Sequence, residues 1–131
     1  MTDKIKLELE YVLKTSINVL ENLLTTPSGL SKWFADDVFI KDDIYTFKWG
    51  NSLEKARLIS LKKNKSIRWR WLHHETQDNA EDCYFELEYN LAPLTKDVIL
   101  KVNVFNCDEE EDDIRMLWEN DIEELRRVLG A

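Results

Sequence analysis

The chain has 131 residues, of which 44% are hydrophobic and 11% aromatic, so a disordered polymer is excluded although 34% of the residues are charged. The length fits one domain with a buried core, and we expect a single domain over residues 1–131. The net charge of −8 argues against a nucleic-acid binder, because such binding depends on clustered lysine and arginine.

The start of the chain and its cysteines bear on the compartment. Residues 1–4 contain no apolar segment of a secretory signal, and no apolar run approaches the length of a membrane span. The two cysteines, Cys83 and Cys107, do not form a CxxC motif. We therefore expect a cytoplasmic protein with reduced cysteines, although a disulfide between them stays open.

The first part of the chain predicts a strand followed by two short helices. Residues 4–13 alternate between apolar and mainly charged side chains, which is the period of a half-buried strand. Thr15 or Ser16 can cap a helix over 17–24, whose end is marked by the residues at 26–29. A second short helix then carries Leu30, Trp33 and Phe34.

From residue 37 onward the pattern predicts six strands joined by short turns. They run over 38–40, 44–49, 54–61, 66–72, 82–91 and 97–105, with a polar loop over 77–82. Strands that follow one another through short connections pair antiparallel. Together with the N-terminal strand they give one curved, seven-stranded antiparallel sheet with a single apolar face.

The last segment, 108–130, predicts a long amphipathic helix. An acidic run at 108–113 favours its N-terminus, two arginines favour its C-terminus, and Gly130 ends it. Its apolar stripe contains Ile114, Leu117, Trp118, Ile122, Leu125, Val128 and Leu129. Such a helix covers the apolar face of the sheet, so the fold class is α+β in the order β-α-α-β6-α.

This order, with Pro27, Leu30, Trp33 and Phe34 after the first helix, resembles the START-like (SRPBCC) superfamily. Its helix-grip fold wraps a sheet around a long C-terminal helix and is shared by Bet v 1 allergens, polyketide cyclases and Hsp90-activator-like proteins. The activator-like group is nearest, since the strand 67–71 and Trp118 also match it. The resemblance implies a small bacterial protein with a hydrophobic cavity between helix and sheet. It implies no catalytic residue, because none is shared across the superfamily.

Aromatic residues provide most of the candidate ligand contacts. An indole combines a large apolar surface with one hydrogen-bond donor, which suits a cavity wall, although the same rings could simply fill the core. The expected ligand-binding residues are Trp33, Phe34, Trp49, Trp69, Trp71, His73, Phe85, Trp118, Asp121 and Ile122. We expect no catalytic residue, no metal and no cofactor.

Asp121 is the most informative single residue. A helical wheel places it inside the apolar stripe, between Trp118 and Ile122. Burial of a carboxylate there is costly unless the group is paired or protonated. Asp121 is therefore either a polar anchor or shifted acid in the cavity, or a residue that faces a wet cavity mouth or bonds an indole or tyrosine.

Two other clusters, the histidine pair at 73–74 and the acidic run at 108–113, contain metal-ligating residue types but do not indicate a metal site. Neighbouring residues of a strand point to opposite faces, so His73 and His74, placed at a strand end, cannot chelate one ion together. His73 shares parity with Trp71 and is expected near the cavity mouth. The acidic run at 108–113 lacks the alternating ligands and central glycine of a calcium loop, and a solvated helix N-terminus explains it.

The outer face of the sheet carries a basic strip. It consists of Arg57, Arg68 and Arg70 with Lys55 and Lys62. This strip is either a docking surface for an acidic partner or a set of cross-strand partners for Glu86 and Glu88.

Three functions are consistent with these features. The first is a non-enzymatic domain that binds a small hydrophobic molecule or lipid in the cavity. The second is a protein–protein interaction module of Hsp90-activator-like type. The third is an enzyme of cyclase or hydrolase type that uses Asp121 and His73 as an acid–base pair. We expect no nucleic-acid partner and no membrane span, and an exposed edge strand leaves both monomer and homodimer open.

Overall fold

A computed structural model describes residues 5–75, 83–106 and 110–130 of the chain. The elements are β1 (Ile5–Leu13), α1 (Ile17–Thr25), α2 (Pro27–Trp33), β2 (Asp37–Lys41), β3 (Ile44–Trp49), β4 (Ser52–Lys62), β5 (Ser66–Trp71), a 3-10 helix (Leu72–His74), β6 (Tyr84–Leu91), β7 (Val98–Asn106) and α3 (Glu111–Leu129). The predicted element order and fold class are thus confirmed. The predicted loop at 77–82, Cys107 and the first acidic residues, Asp108 and Glu109, lie outside the described residues.

The seven strands form one antiparallel sheet in the order β1-β7-β6-β5-β4-β3-β2. The chain therefore returns from β7 to pair with β1, and β1 and β2 are the two edges of the sheet. The register aligns Trp69, Phe85 and Val104 in one row across β5, β6 and β7. All three side chains are buried, so this row lies on the face that forms the core.

Helix α3 covers this face, as the stripe predicted. Ile114, Trp118, Ile122 and Leu125 are its buried side chains, and full burial of such residues contributes roughly 1.5–3 kcal/mol each. Leu117 and Val128, which the sequence stripe includes, are 56% and 38% exposed. The fully buried positions are i, i+4, i+8 and i+11 from Ile114, so the fully buried stripe is narrower than the predicted apolar stripe.

Thr26 joins the two short helices by capping both of them. Its side chain accepts a hydrogen bond from the backbone amide of Gly29 at 2.9 Å and donates one to the carbonyl of Asn22 at 2.7 Å. Pro27 is the first residue of α2, where a missing amide hydrogen costs nothing. The predicted break at 26–29 is thus a sharp corner between the helices, with Gly29 buried inside α2.

Three side-chain hydrogen bonds fix the helix pair over one end of the sheet. The Tyr45 hydroxyl donates to the carbonyl of Thr25 at 3.2 Å, and the Tyr89 hydroxyl donates to Glu21 at 2.9 Å. The Trp33 indole donates to the carbonyl of Leu23 at 2.8 Å, which ties α2 to α1. Helix α1 therefore lies near the turn that joins β4 and β5, and α2 continues from it against β2.

Two local expectations are corrected by the structure. Cys83 is completely buried and disulfide-bonded, whereas reduced cysteines were the simpler expectation. His73 and His74 follow β5 in the 3-10 helix and do not continue the strand. Their rings are 4.3 Å apart between centroids, so the prediction that they point to opposite faces of a strand is wrong.

Gly29 provides a test of the corner between α1 and α2. A Cβ atom at this position would lie 2.0 Å from the carbonyl oxygen of Asn22 and 2.6 Å from the Cα of Leu23. Alanine in a helix normally gains about 1 kcal/mol over glycine, but overpacking of this kind costs about 1–3 kcal/mol. We expect Gly29→Ala to lower the free energy of unfolding by at least about 1 kcal/mol in urea denaturation.

Ser28→Ala is the matched control, because Ser28 is the neighbouring exposed residue of the same helix. It should change the free energy of unfolding by less than about 0.5 kcal/mol. Equal stability of Gly29→Ala and the wild type would show that the two helices do not approach as closely as described.

Candidate functional site

A cavity of about 300 Å³ lies between α3 and the sheet. It is at the end of β5 and β6 away from α1, since its walls include Trp71 at the end of β5 and Phe85 at the start of β6. The C-terminal end of α2 reaches it through Phe34. Seven of the predicted site residues line it, namely Phe34, Trp49, Trp71, His73, Phe85, Trp118 and Asp121. The structure therefore brings together most of a set that is spread over 88 positions of the sequence, from 34 to 121.

Three predicted site residues lie elsewhere. Trp69 is 1% exposed and packs against Phe85 at 5.1 Å between ring centroids. Ile122, on the buried side of α3, is also 1% exposed. Trp33 contacts an adjoining shallow groove and is held by its bond to the carbonyl of Leu23. These three positions support the cavity from behind and do not form its walls.

Four residues that sequence reasoning missed also line the cavity: Glu54, Val104, Ile114 and Leu117. Glu54 pairs with Phe47 across β3 and β4, and Val104 pairs with Phe85 across β6 and β7. The pairing register of the strands places Glu54 and Val104 beside the cavity, and a single sequence does not determine that register. Ile114 and Leu117 were predicted in the apolar stripe of α3, but the sequence does not show which residues of that stripe reach the cavity.

The aromatic walls contact one another as well as the cavity. Phe34 stacks on Trp118 at 5.4 Å, and Trp71 stacks on Phe85 at 4.8 Å. The indole of Trp49 meets Phe34 edge-on at 5.5 Å and donates a hydrogen bond to the Phe34 carbonyl at 2.7 Å. Ring contacts of this kind add about 0.5–1.5 kcal/mol beyond area burial, so the walls are braced against collapse.

Asp121 is the polar wall on the helix side. It is half-buried, and burial raises the pKa of its carboxyl group from 3.8 to about 7. It forms no hydrogen bond or ion pair with any other described residue. The alternative in which Asp121 bonds an indole or tyrosine is therefore not observed, and its carboxyl group is available to a ligand.

Glu54 and His73 are the polar walls on the sheet side. The Nδ1 atom of His73 lies 3.9 Å from a carboxylate oxygen of Glu54, and both side chains are about half exposed. The His73 ring stacks on Trp71 at 6.3 Å with nearly parallel planes. His73 thus lies at the mouth of the cavity as expected, although the 3-10 helix after β5 and not strand parity places it there.

The three arginines of the basic strip on the outer face form ion pairs or hydrogen bonds with other residues of the chain. Arg68 forms an ion pair with Glu86 at 2.8 Å, and Arg57 pairs with Glu75 at 2.9 Å. Arg70 donates a hydrogen bond to the carbonyl of Cys83 at 2.9 Å. The predicted pairing with Glu86 is thus observed for Arg68, whereas Arg57 and Arg70 have other partners within the chain. Glu88 accepts a hydrogen bond from Asn103.

Residues 5–75, 83–106 and 110–130 contain no group of three or more His, Cys, Asp or Glu side chains that could hold a metal ion. In those same ranges, no helix has the length and apolar character that crossing a membrane requires.

Comparison with known proteins gives a family match over the whole chain. A family model described as START-like superfamily domain matches residues 1–131. No curated protein matches the chain. A solution structure of BfR322 from Bacteroides fragilis is 36% identical, with a TM-score of 0.65, and the match covers 98% of this chain and 93% of that one.

Two more distant structures share the fold. The Aha1 dimer from Colwellia psychrerythraea is 16% identical with a TM-score of 0.74, covering 93% of both chains. MLL2253 from Mesorhizobium loti is 18% identical with a TM-score of 0.74, covering 96% of this chain and 97% of that one. At these identities the likeness concerns the fold alone.

Asp121 makes stability depend on pH in a defined direction. Its pKa is raised in the folded state, so the folded protein binds the proton more tightly than the unfolded chain does. The stability linked to this proton is complete below about pH 4 and is lost as the pH rises to about 7, by up to about 4 kcal/mol. The free energy of unfolding of Asp121→Asn minus that of the wild type should therefore grow from pH 4 to 7 and then level off.

The measurement is urea unfolding of both proteins at several pH values. All other ionisable groups are common to the two proteins, so their contribution cancels to a first approximation in the difference. A difference that is constant from pH 4 to 8 would mean that the Asp121 carboxyl is solvated like an exposed one.

Proposed function

Because the chain belongs to the START-like superfamily, we propose that it binds a small hydrophobic ligand in the cavity between α3 and the sheet. The observation that carries this proposal is the cavity of about 300 Å³ with five aromatic rings in its walls. The volume lies at the lower end of the range for small-molecule pockets. Predominantly apolar walls with a few converging polar groups are typical of such sites.

The energetics favour a ligand with both an apolar body and a polar group. A ligand that buries about 200 Å² of apolar surface gains roughly 5 kcal/mol from the hydrophobic effect. Part of this gain is offset by the loss of translational and rotational freedom. Micromolar affinity therefore needs further contacts, and Asp121, Glu54 and His73 are the groups in the walls that can provide them.

Leu117 and Met116 form a matched pair for testing this site. They are neighbours on α3 and are 56% and 64% exposed, but only Leu117 lines the cavity. A tryptophan at 117 should occupy part of the cavity, whereas a tryptophan at 116 should leave it open. We expect Leu117→Trp to weaken binding of the neutral fluorescent probe N-phenyl-1-naphthylamine by about tenfold or more, because overpacked volume is costly.

The measurement is a fluorescence titration of the probe against the wild type and both variants. Met116→Trp should bind within about twofold of the wild type, since surface substitutions rarely perturb a distant site. In the wild type the probe should also raise the melting temperature through mass action. Equal binding by both variants would place the probe outside this cavity, and absence of binding to the wild type would count against the proposed function.

Native mass spectrometry of the purified protein complements this titration. A discrete additional mass that is released on denaturation would identify the class of a bound ligand. The same spectrum distinguishes a monomer from a homodimer, the two states that the exposed edge strands β1 and β2 leave open.

The two other functions have weaker support. An interaction module would use the outer face of the sheet or an edge strand, and on the outer face Arg57, Arg68 and Arg70 are held by partners within the chain. An enzyme would use Asp121 and His73, which share the cavity, but no hydrogen bond joins Asp121 to His73 or to another described residue. Both functions stay predictions.

A further inference from the structure

We infer that the cavity is selective for organic cations, that is, for an amine or quaternary ammonium group attached to an apolar body. This inference rests on the proposed function and adds the chemical class of the ligand. It depends on three features of the cavity walls: the sign of their charges, the faces of their aromatic rings and the lack of a partner for one carboxyl group.

The first feature is the sign of the charges. Glu54 and Asp121 bring two carboxyl groups to the cavity from opposite sides, one from β4 and one from α3. No lysine or arginine is among the lining residues that the structure describes. Since like charges repel strongly at low dielectric, a fatty acid or another carboxylate ligand is disfavoured here.

His73 is the lining group that can carry a positive charge. Its Nδ1 atom lies 3.9 Å from a carboxylate oxygen of Glu54, so a positive charge on the ring would be paired with that carboxylate. The adjoining groove adds Lys32, but it also adds Asp36 and Glu124. The surroundings of Asp121 are therefore negative overall, in keeping with the net charge of the chain.

The second feature is the arrangement of the rings. The face of an aromatic ring is its electron-rich side and attracts a cation that lies within about 6 Å of the centroid. The rings of Phe34 and Trp118, and those of Trp71 and Phe85, stack as two pairs along the cavity. Trp49 adds a third surface, and its indole N–H is already bonded to the Phe34 carbonyl, so it presents no donor to an anion.

The third feature is the unused carboxyl group of Asp121. No described residue donates a hydrogen bond to it, although it is half-buried in the stripe of α3. A partly buried carboxylate without a partner is costly, and a bound cation would remove that cost. An ammonium head between Asp121 and the ring faces would satisfy the charge and fill the apolar space at the same time.

Selectivity is tested with ligands of the same shape and different charge. Benzyltrimethylammonium and 2,2-dimethylpropylbenzene differ only by a charged nitrogen in place of a carbon, and 4-phenylbutanoate is the anionic comparison. Each competes with N-phenyl-1-naphthylamine for the wild-type protein at pH 8. We expect the cation to compete at about tenfold lower concentration than its neutral isostere, and the anion to compete most weakly.

Charge-removing variants identify the source of the preference. Asp121→Asn should weaken the cation about tenfold and leave the neutral isostere unchanged, because only a charged ligand gains from the carboxylate. Glu54→Gln should act in the same direction and provides a second variant if the first is poorly folded. Glu123→Gln removes one charge from an exposed position of α3 outside the cavity and should leave the cation affinity within about twofold.

The outcomes separate this inference from the proposed function. If the neutral isostere competes as well as the cation, the inference is wrong and the hydrophobic cavity stands. The cation preference is the affinity for the cation relative to its neutral isostere. If Asp121→Asn, Glu54→Gln and Glu123→Gln all have the same cation preference, its source is the overall charge of the protein, and the inference is also wrong. If no probe competes while N-phenyl-1-naphthylamine itself binds, the inference fails and the proposed function remains supported.

Discussion

The packing of the Phe34 ring is the contact on which the interior depends. Phe34 ends α2, and its ring meets Phe47 at 5.1 Å, Trp118 at 5.4 Å and Trp49 at 5.5 Å. One side chain therefore connects the short helices, the sheet and α3, and its carbonyl also accepts the indole hydrogen of Trp49. The position of Phe34 follows from the corner at Thr26, because a shift of α2 would move the ring out of all these contacts. Local capping chemistry thus determines a tertiary contact, and that contact forms one wall of the cavity.

The two ends of the interior differ because α1 covers one of them, whereas the other receives Phe34 from the C-terminal end of α2. Near α1 the concave face is filled by leucines and by Trp33, and the hydroxyl groups of Tyr45 and Tyr89 are bonded to the helix. At the other end α3 and the C-terminal end of α2, through Phe34, cover the face, and the walls are rings braced by their own contacts. Rigid rings pack less freely into a void than flexible aliphatic chains do, so space remains between them. The architecture in this way supports both a well-packed core and a cavity.

Asp121 links the pH-dependent stability of the protein to the proposed binding of a ligand. A carboxyl group in the apolar stripe reduces stability at neutral pH, as the direction of its pKa shift indicates. A purely structural helix would gain by an apolar residue at this position. If a ligand supplies the missing partner of the Asp121 carboxylate, binding offsets this loss of stability. The same reasoning does not extend to Arg57, Arg68 and Arg70, whose charges are already satisfied on the outer face.

The sequence by itself determined the element order, the antiparallel sheet and the amphipathic helix. These depend on local periodicity, on caps such as Ser16 and on short connections, all of which are visible along one chain. It also indicated Asp121, because a single acidic residue inside an apolar stripe stands out on a helical wheel. The tertiary structure decided which aromatic residues reach the cavity. Trp69 and Trp71 are two residues apart on the same face of β5 and look equivalent in sequence, yet Trp69 is enclosed by Tyr45, Phe47 and Phe85, whereas Trp71 lines the cavity. That difference arises from strand register and from the reach of α1 and α2 over the sheet, which are long-range relations between segments distant in sequence.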